Sequence, residues 1–135
     1  FYPHICIYFL PYTGCNPDDI IIETITNKQH NSPIILNKQD SIPFNIFDVI
    51  YCTRLQNERF INNTSIPNKP DIILNKTILP LLKKSAIIMH PLPRNEEISS
   101  EIDNDPRAIY FEQIQNGIKI RMALLDILLS DINYS

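Results

Sequence analysis

Glycine is almost missing from this chain: Gly14 and Gly117 are the only two in 135 residues. Neither a glycine-rich phosphate loop nor a dinucleotide fingerprint can be written with them. A phosphorylated substrate would therefore need its main cradle elsewhere. Cysteine is scarce too, with Cys6, Cys15 and Cys52 as the three. An odd number without close spacing argues against a disulfide framework. Cys6 and Cys52 each sit in an apolar run and read as buried small hydrophobes in a reducing compartment. No excess of basic charge exists: twelve Lys and Arg against fifteen Asp and Glu leave a net charge of -3. The basic residues are dispersed apart from Lys83-Lys84, so no nucleic-acid partner is expected. No segment reaches the ~18 consecutive apolar residues that span a bilayer, so no membrane partner is expected either. The start, Phe1-Tyr2-Pro3-His4, lacks both an initiator Met and a charged region ahead of an apolar stretch. It is not a signal peptide and reads as a cut made inside a longer protein.

What is present suits one soluble, globular domain with a real core; 44% of the residues are hydrophobic and 20% charged. Ile5–Leu10 is a short apolar run bounded by prolines, which suits a strand buried on both faces. Asn16-Pro17-Asp18-Asp19 carries three helix-start signals: a cap, a proline for the first helical position, and acids for the positive dipole end. A helix is expected from about Pro17 to Lys28. Further strands are expected at Pro33–Asn37, Asp48–Thr53 and Ala86–His90. Leu55 to about Pro70 reads as a mobile loop. Asn75–Lys84 can form a helix with a boundary or kink at Pro80. Asn95–Ile102 suits one or two helical turns, Asp105-Pro106 a turn, and Gln115–Leu129 a last helix. Strands alternating with helices imply an α/β fold: a Rossmann-like open parallel sheet with helices on both faces, in a single domain. The last helix carries two apolar stripes, Ile118, Met122, Leu125 and Leu129, and Ile120, Leu124, Ile127 and Leu128. Such a helix is buried on more than one side, either inside its own domain or against a second domain absent from this chain.

None of His4, His30 and His90 pairs with another ligand at metal-binding spacing, so no metal is expected. No serine lies in a nucleophile-elbow context. The acidic residues fall mostly in helix starts and loops, where a solvated role is the default. Two runs remain, both at the C-terminal ends of predicted strands, where open α/β sheets bind ligands. In Thr53-Arg54-Leu55-Gln56-Asn57-Glu58-Arg59, Arg54 can grip a carboxylate with two charge-assisted bonds. Gln56 can donate and accept at the same ligand, and Glu58 can hold the guanidinium from behind. The competing reading is a surface ion-pair cluster of little consequence. In His90-Pro91-Leu92-Pro93-Arg94, two prolines stiffen the backbone and free its carbonyls to accept from a ligand's N–H groups. The Leu92-Pro93 bond is one of the few kinds that tolerate a cis form. The competing reading is a rigid turn that merely ends a strand.

Taken in this order, the two runs resemble the aspartate carbamoyltransferase family. That family has a Thr-Arg-x-Gln-x-Glu-Arg run, matched by Thr53–Arg59, and a His-Pro-Leu-Pro-Arg run followed by acids, matched by His90–Arg94 with Glu96-Glu97. It also has an aromatic pair, a glutamine and an Asn-Gly turn opening a last helix with an Arg-x-Ala-Leu segment. Here these are Tyr110-Phe111, Gln113, Asn116-Gly117 and Arg121–Leu124. The resemblance covers most of the chain from Asp48 onward; before that it rests on element order. Ornithine carbamoyltransferases, the nearest alternative, place a cysteine where Pro91 stands and lack the Thr-Arg-x-Gln run.

The resemblance implies the second, aspartate-binding half of a two-domain carbamoyltransferase of pyrimidine synthesis. It implies that Arg54 and Gln56 bind L-aspartate and that the carbonyls of Pro91 and Leu92, shaped by Pro93, face carbamoyl phosphate. Glu58, Arg59, His90 and Arg94 stand behind them. No residue of this half would do more than position substrates, and no cofactor is implied. The family's Ser-x-Arg-Thr-Arg phosphate motif, its downstream His and Gln, and an Arg just before the second domain are all absent here. A lysine from a neighbouring subunit, in a homotrimer, also completes the family's sites. The chain alone is therefore expected to be inactive, and its setting cytoplasmic, with an organelle left open. The other function class is a non-catalytic interaction domain associating through its apolar last helix.

Overall fold

Two short parallel strand pairs organise the chain, one in each of two units. The first unit comprises Phe1–Pro43 with Leu55–Ile73, and the second Phe44–Arg54 with Leu74–Ser135. The computed structural model describes residues 5–12, 15, 17–29, 33–36, 41–55 and 70–130.

In the first unit, β1 (Tyr8–Phe9) pairs in parallel with β2 (Ile34–Ile35), in the register Tyr8↔Ile34 and Phe9↔Ile35. The helix α1 (Asp19–Gln29) makes the crossover that a parallel pair requires. It begins two residues later than Pro17. The reason is that Asp18 supplies the cap: its Oδ1 accepts the Ile20 N–H at 3.0 Å, and its carbonyl accepts from Ile21 and Ile22. The expectation that Ile5–Leu10 is a strand buried on both faces fails, since Ile5 and Leu10 are 46% and 37% exposed and Tyr8 and Phe9 only half-buried; Ile34 and Ile35 are exposed too. Cys6 is exposed as well, not buried. Two strands of two residues each have little to bury themselves against.

In the second unit, β3 (Val49–Tyr51) pairs in parallel with β4 (Ile87–Met89), in the register Val49↔Ile87, Ile50↔Ile88 and Tyr51↔Met89. The other edge of β4 is occupied too. The Ile88 N–H donates to the Arg107 carbonyl at 2.7 Å, and the Ile109 N–H donates to the Ile88 carbonyl at 3.0 Å. Being paired on both edges, β4 is the central strand, and Ile88 is fully buried. Leu74, Leu82, Ala86, Ile98, Ile102 and Tyr110 complete the core around it. Each fully buried large apolar side chain contributes about 1.5–3 kcal/mol. By contrast Val49 and Tyr51 of β3 face out, 51% and 53% exposed.

The expected helix over Asn75–Lys84 is replaced by a turn and a single 3-10 turn, Leu79–Leu81. Pro80 sits inside that 3-10 turn, and Leu82 is already extended. Upstream, the Asn75 carboxamide accepts from the Thr77 N–H at 3.0 Å and competes with helix formation. Arg107 then takes up the Leu79 carbonyl at 2.9 Å and grips Asp105 with two bonds of 2.8 Å.

The last helix, α2 (Tyr110–Ser130), starts five residues before Gln115. Asn116-Gly117 lies inside it and is not a turn that opens it. An interior glycine costs a helix about 1 kcal/mol, too little to stop one anchored at its start. That anchor is the Ile109 bond to β4 together with the buried Tyr110. Residues 118–130 are all exposed, with Met122 at 64% and Leu128 at 63%. Burial of this helix inside its own domain is therefore ruled out for the described residues.

Candidate active site

Both motifs begin where the β3–β4 ladder ends. Tyr51 pairs with Met89, and the Cys52 N–H donates to the Met89 carbonyl at 2.9 Å. His90 follows Met89 directly, and Arg54 follows Cys52 by two residues. The parallel sense of the pair delivers Arg54 and the His90–Arg94 run to the same end of one sheet. Gln56, Glu58 and Arg59 lie outside the described residues.

His90 is completely buried and sets the turn. Its Nδ1 accepts the Leu92 N–H at 2.8 Å. A nitrogen that accepts from an N–H carries no proton, so the ring proton sits on Nε2. Nε2 lies 2.7 Å from the Glu97 Oε1 and donates to it. This contact is therefore a hydrogen bond from a neutral imidazole, not an ion pair. The same Oε1 accepts the Asn95 N–H at 3.0 Å, and Glu97 is 6% exposed. Against the solvated default for acidic residues, Glu97 is thus a buried structural acceptor.

Leu92 adopts a left-handed φ of 50°, and the Leu92-Pro93 peptide is cis. A left-handed backbone costs a non-glycine residue roughly 1–2 kcal/mol, so the turn must be held. The Leu92–His90 bond is one of the holds. Pro91 and Pro93 have no N–H, and that of Leu92 is occupied. Among the described residues no hydrogen bond engages the carbonyl of Pro91 or Leu92. The turn therefore presents acceptors only, suited to a ligand rich in N–H.

Arg94 is held within the fold. Both of its terminal nitrogens bond Asp103, the Nη2–Oδ2 contact at 2.7 Å. The guanidinium lies 5.6 Å from the centre of the Tyr110 ring, whose hydroxyl donates to Asp103. The Arg94 bonds hold the Asp103 carboxyl below the usual carboxylate range. The Arg107 bonds do the same for Asp105. A depressed carboxylate stabilises the fold above its unfolded value, near 3.9, and loses that contribution as pH falls through the folded value. Stability is thus expected to decline steeply below about pH 4. Asp103→Asn should flatten that decline in urea titrations at pH 5 and pH 3, and an unchanged slope would count against this pair.

Burial, reinforced by the negative charge of Glu97, pushes the Cys52 thiol up to about 12. Cys52 packs against the core while Cys6 is exposed. Iodoacetamide at pH 8 is expected to modify Cys6 at least about tenfold faster than Cys52. Peptide mapping reads this directly, and equal rates would contradict the burial.

The roles of several supporting residues lay beyond the reach of sequence reasoning. Glu97 holds His90, Asp103 holds Arg94, and Gln113 joins the two strand ends: its Oε1 accepts the His90 N–H at 2.9 Å and its Nε2 donates to the Tyr51 hydroxyl at 3.1 Å. The available signal was the family pattern, which includes Glu97 and Gln113 but names no partner for either. Among the described residues no group of three or more His, Cys, Asp or Glu is placed to hold a metal ion. No described helix is long and apolar enough to cross a membrane.

A model of the family "aspartate/ornithine carbamoyltransferase, Asp/Orn binding domain" matches residues 4–128. The aspartate carbamoyltransferase catalytic subunit of Alkaliphilus oremlandii is 40% identical over 119 residues, covering 86% of this chain and 35% of that protein. That of Clostridium acetobutylicum is 54% identical over 79 residues, covering 58% of this chain and 26% of that protein. Among solved structures, aspartate transcarbamoylase from Trypanosoma cruzi in complex with carbamoyl phosphate and aspartate superposes with a TM-score of 0.74. It is 33% identical, over 89% of this chain and 40% of that one. The chain thus spans about a third of the length of the Alkaliphilus relative.

Proposed function

The chain belongs to the aspartate/ornithine carbamoyltransferase family through its Asp/Orn binding domain, and from that membership we propose that it forms the aspartate side of a carbamoyl-transfer site. The reaction moves the carbamoyl group from carbamoyl phosphate to the α-amino group of L-aspartate, giving N-carbamoyl-L-aspartate and phosphate. Arg54 grips an aspartate carboxylate oxygen pair, and Gln56 orients the amino acid. The Pro91 and Leu92 carbonyls, shaped by Pro93, accept from the carbamoyl N–H groups and the attacking amine. Glu58 and Arg59 back Arg54, while His90 and Arg94 back the turn. Catalysis is positioning and charge stabilisation, with no covalent intermediate and no cofactor. The phosphate cradle and a lysine come from outside this chain, the latter from another subunit of a homotrimer, so the chain alone does not turn over. Its setting is the cytoplasm or an organelle.

The observation that carries this reading is the Tyr51↔Met89 register, which brings Arg54 and the acceptor turn to one sheet end. Aspartate is favoured over ornithine because Arg54 suits a second carboxylate and Pro91 stands where ornithine enzymes have cysteine. The test mixes the chain with a matching carbamoyl-phosphate-binding half and measures product with L-aspartate and with L-ornithine. Product from aspartate supports the reading. A well-folded mixture that stays inactive, or that prefers ornithine, would sink it. The exposed apolar length of α2 favours a second role as an association surface. A monodisperse monomer at high concentration in light scattering would count against that role.

A further inference from the structure

We propose that Gln113 is a positioning residue that sets the two walls of the site relative to each other. This rests on the carbamoyl-transfer reading and adds to it a residue outside both motifs.

The β3–β4 ladder closes with the Cys52 N–H on the Met89 carbonyl. One residue further along β4, the His90 N–H does not turn to β3. It donates to the Gln113 Oε1 at 2.9 Å instead. The Nε2 of the same carboxamide donates to the Tyr51 hydroxyl at 3.1 Å. Gln113 lies in the first turn of α2, and its own N–H is fixed on the Ile109 carbonyl at 2.9 Å. Ile109 in turn is bonded to Ile88 at the centre of β4. The carboxamide therefore stands on a base tied to the core and reaches both strand ends at once. From Tyr51 the chain runs three residues to Arg54, and from His90 one residue to the first acceptor carbonyl. A planar amide with one acceptor and one donor can serve an N–H and a hydroxyl together. Errors of about 1 Å in such positioning are enough to cost roughly a hundredfold in rate.

The three informative variants separate the parts of this link. Gln113→Met removes both bonds. Gln113→Glu keeps an acceptor for the His90 N–H and lets the Tyr51 hydroxyl donate. Tyr51→Phe removes only the β3 arm. Amide exchange and chemical shifts, read by NMR on the chain itself, test the link without any assay of activity. Gln113→Met is expected to expose the His90 amide to exchange and to shift the amides of Thr53 and Arg54. Gln113→Glu should leave both near the parent, and Tyr51→Phe should shift Arg54 while sparing His90. Changes confined to α2 and His90 would overturn the proposal. In the reconstituted assay, Gln113→Met should raise the aspartate KM about tenfold or more, with Gln113→Glu restoring it to within about threefold. Parent kinetics in Gln113→Met would likewise overturn it. Should the unaltered mixture itself be inert, the functional reading falls, while the amide measurements still decide the role of Gln113.

Discussion

Glu97→Leu is expected to destabilise the second unit by about 2–4 kcal/mol, read as a fall in the urea midpoint with little change in slope. Leucine is close in volume, so packing is largely kept. What is lost is an acceptor serving two donors, the His90 Nε2–H at 2.7 Å and the Asn95 N–H at 3.0 Å. His90 is completely buried, so water cannot replace that acceptor. An unsatisfied buried donor costs roughly 1–3 kcal/mol, and two are created. Glu97→Gln keeps an oxygen at the same place and should cost no more than about 1.5 kcal/mol. His90→Phe combined with Glu97→Leu removes donor and acceptor together and should recover part of the loss, though the Leu92 N–H then lacks its partner. A Glu97→Leu chain as stable as the parent would show that the His90 ring is not held from this side.

The same residues show what could and could not be read from sequence. Local signals placed β1 to β4 because each is a short apolar run bounded by polar or proline residues. They set α1 two residues early, because Asp18 supplies the cap, and where a cap falls is a matter of geometry. They missed the break after Asn75, where an Asn side chain and Pro80 outweigh an apolar pattern. They also placed the start of α2 too late. Its first turn is fixed by a bond to β4 from Ile109, a long-range contact that no local window contains.

The motif residues were legible as residue types in a known order. Their supports were not. Glu97 and Gln113 stood out only as matches to a family pattern, and Asp103 not at all. Their roles come from meeting His90, Arg94 and Tyr51 across 7, 9 and 62 positions of chain. The apolar stripes of α2 were visible as well, but sequence left open what they face. In the structure residues 118–130 are exposed, which removes the reading that kept them inside.

Arg54→Ala is expected to have the largest functional effect, lowering kcat/KM for aspartate in the reconstituted assay by about 100- to 1000-fold. That factor corresponds to about 3–4 kcal/mol, within the range for truncating one partner of a hydrogen-bonded charge pair. Arg54→Lys keeps the charge but not the two-pronged fork, and should fall between, at roughly 10- to 100-fold. The loss should appear mainly in the aspartate KM, since the proposed contact is to a carboxylate that does not react. The KM for carbamoyl phosphate should move less than about threefold, because on the proposed reading its phosphate is held by residues outside this chain. Urea midpoints measured for both variants separate a loss of ligand contact from a loss of fold. Losing kcat/KM equally for both substrates would point to a disrupted turn, and an Arg54→Ala enzyme within a few-fold of the parent would remove Arg54 from the aspartate site. The two substitutions also divide the labour of the sheet end. On the proposed reading Glu97 acts through His90 on the shape of the acceptor turn, and Arg54 acts on the ligand from the neighbouring strand. Their effects on kcat/KM should therefore add when combined, unless the Gln113 link couples the two strand ends, in which case the double variant departs from the sum.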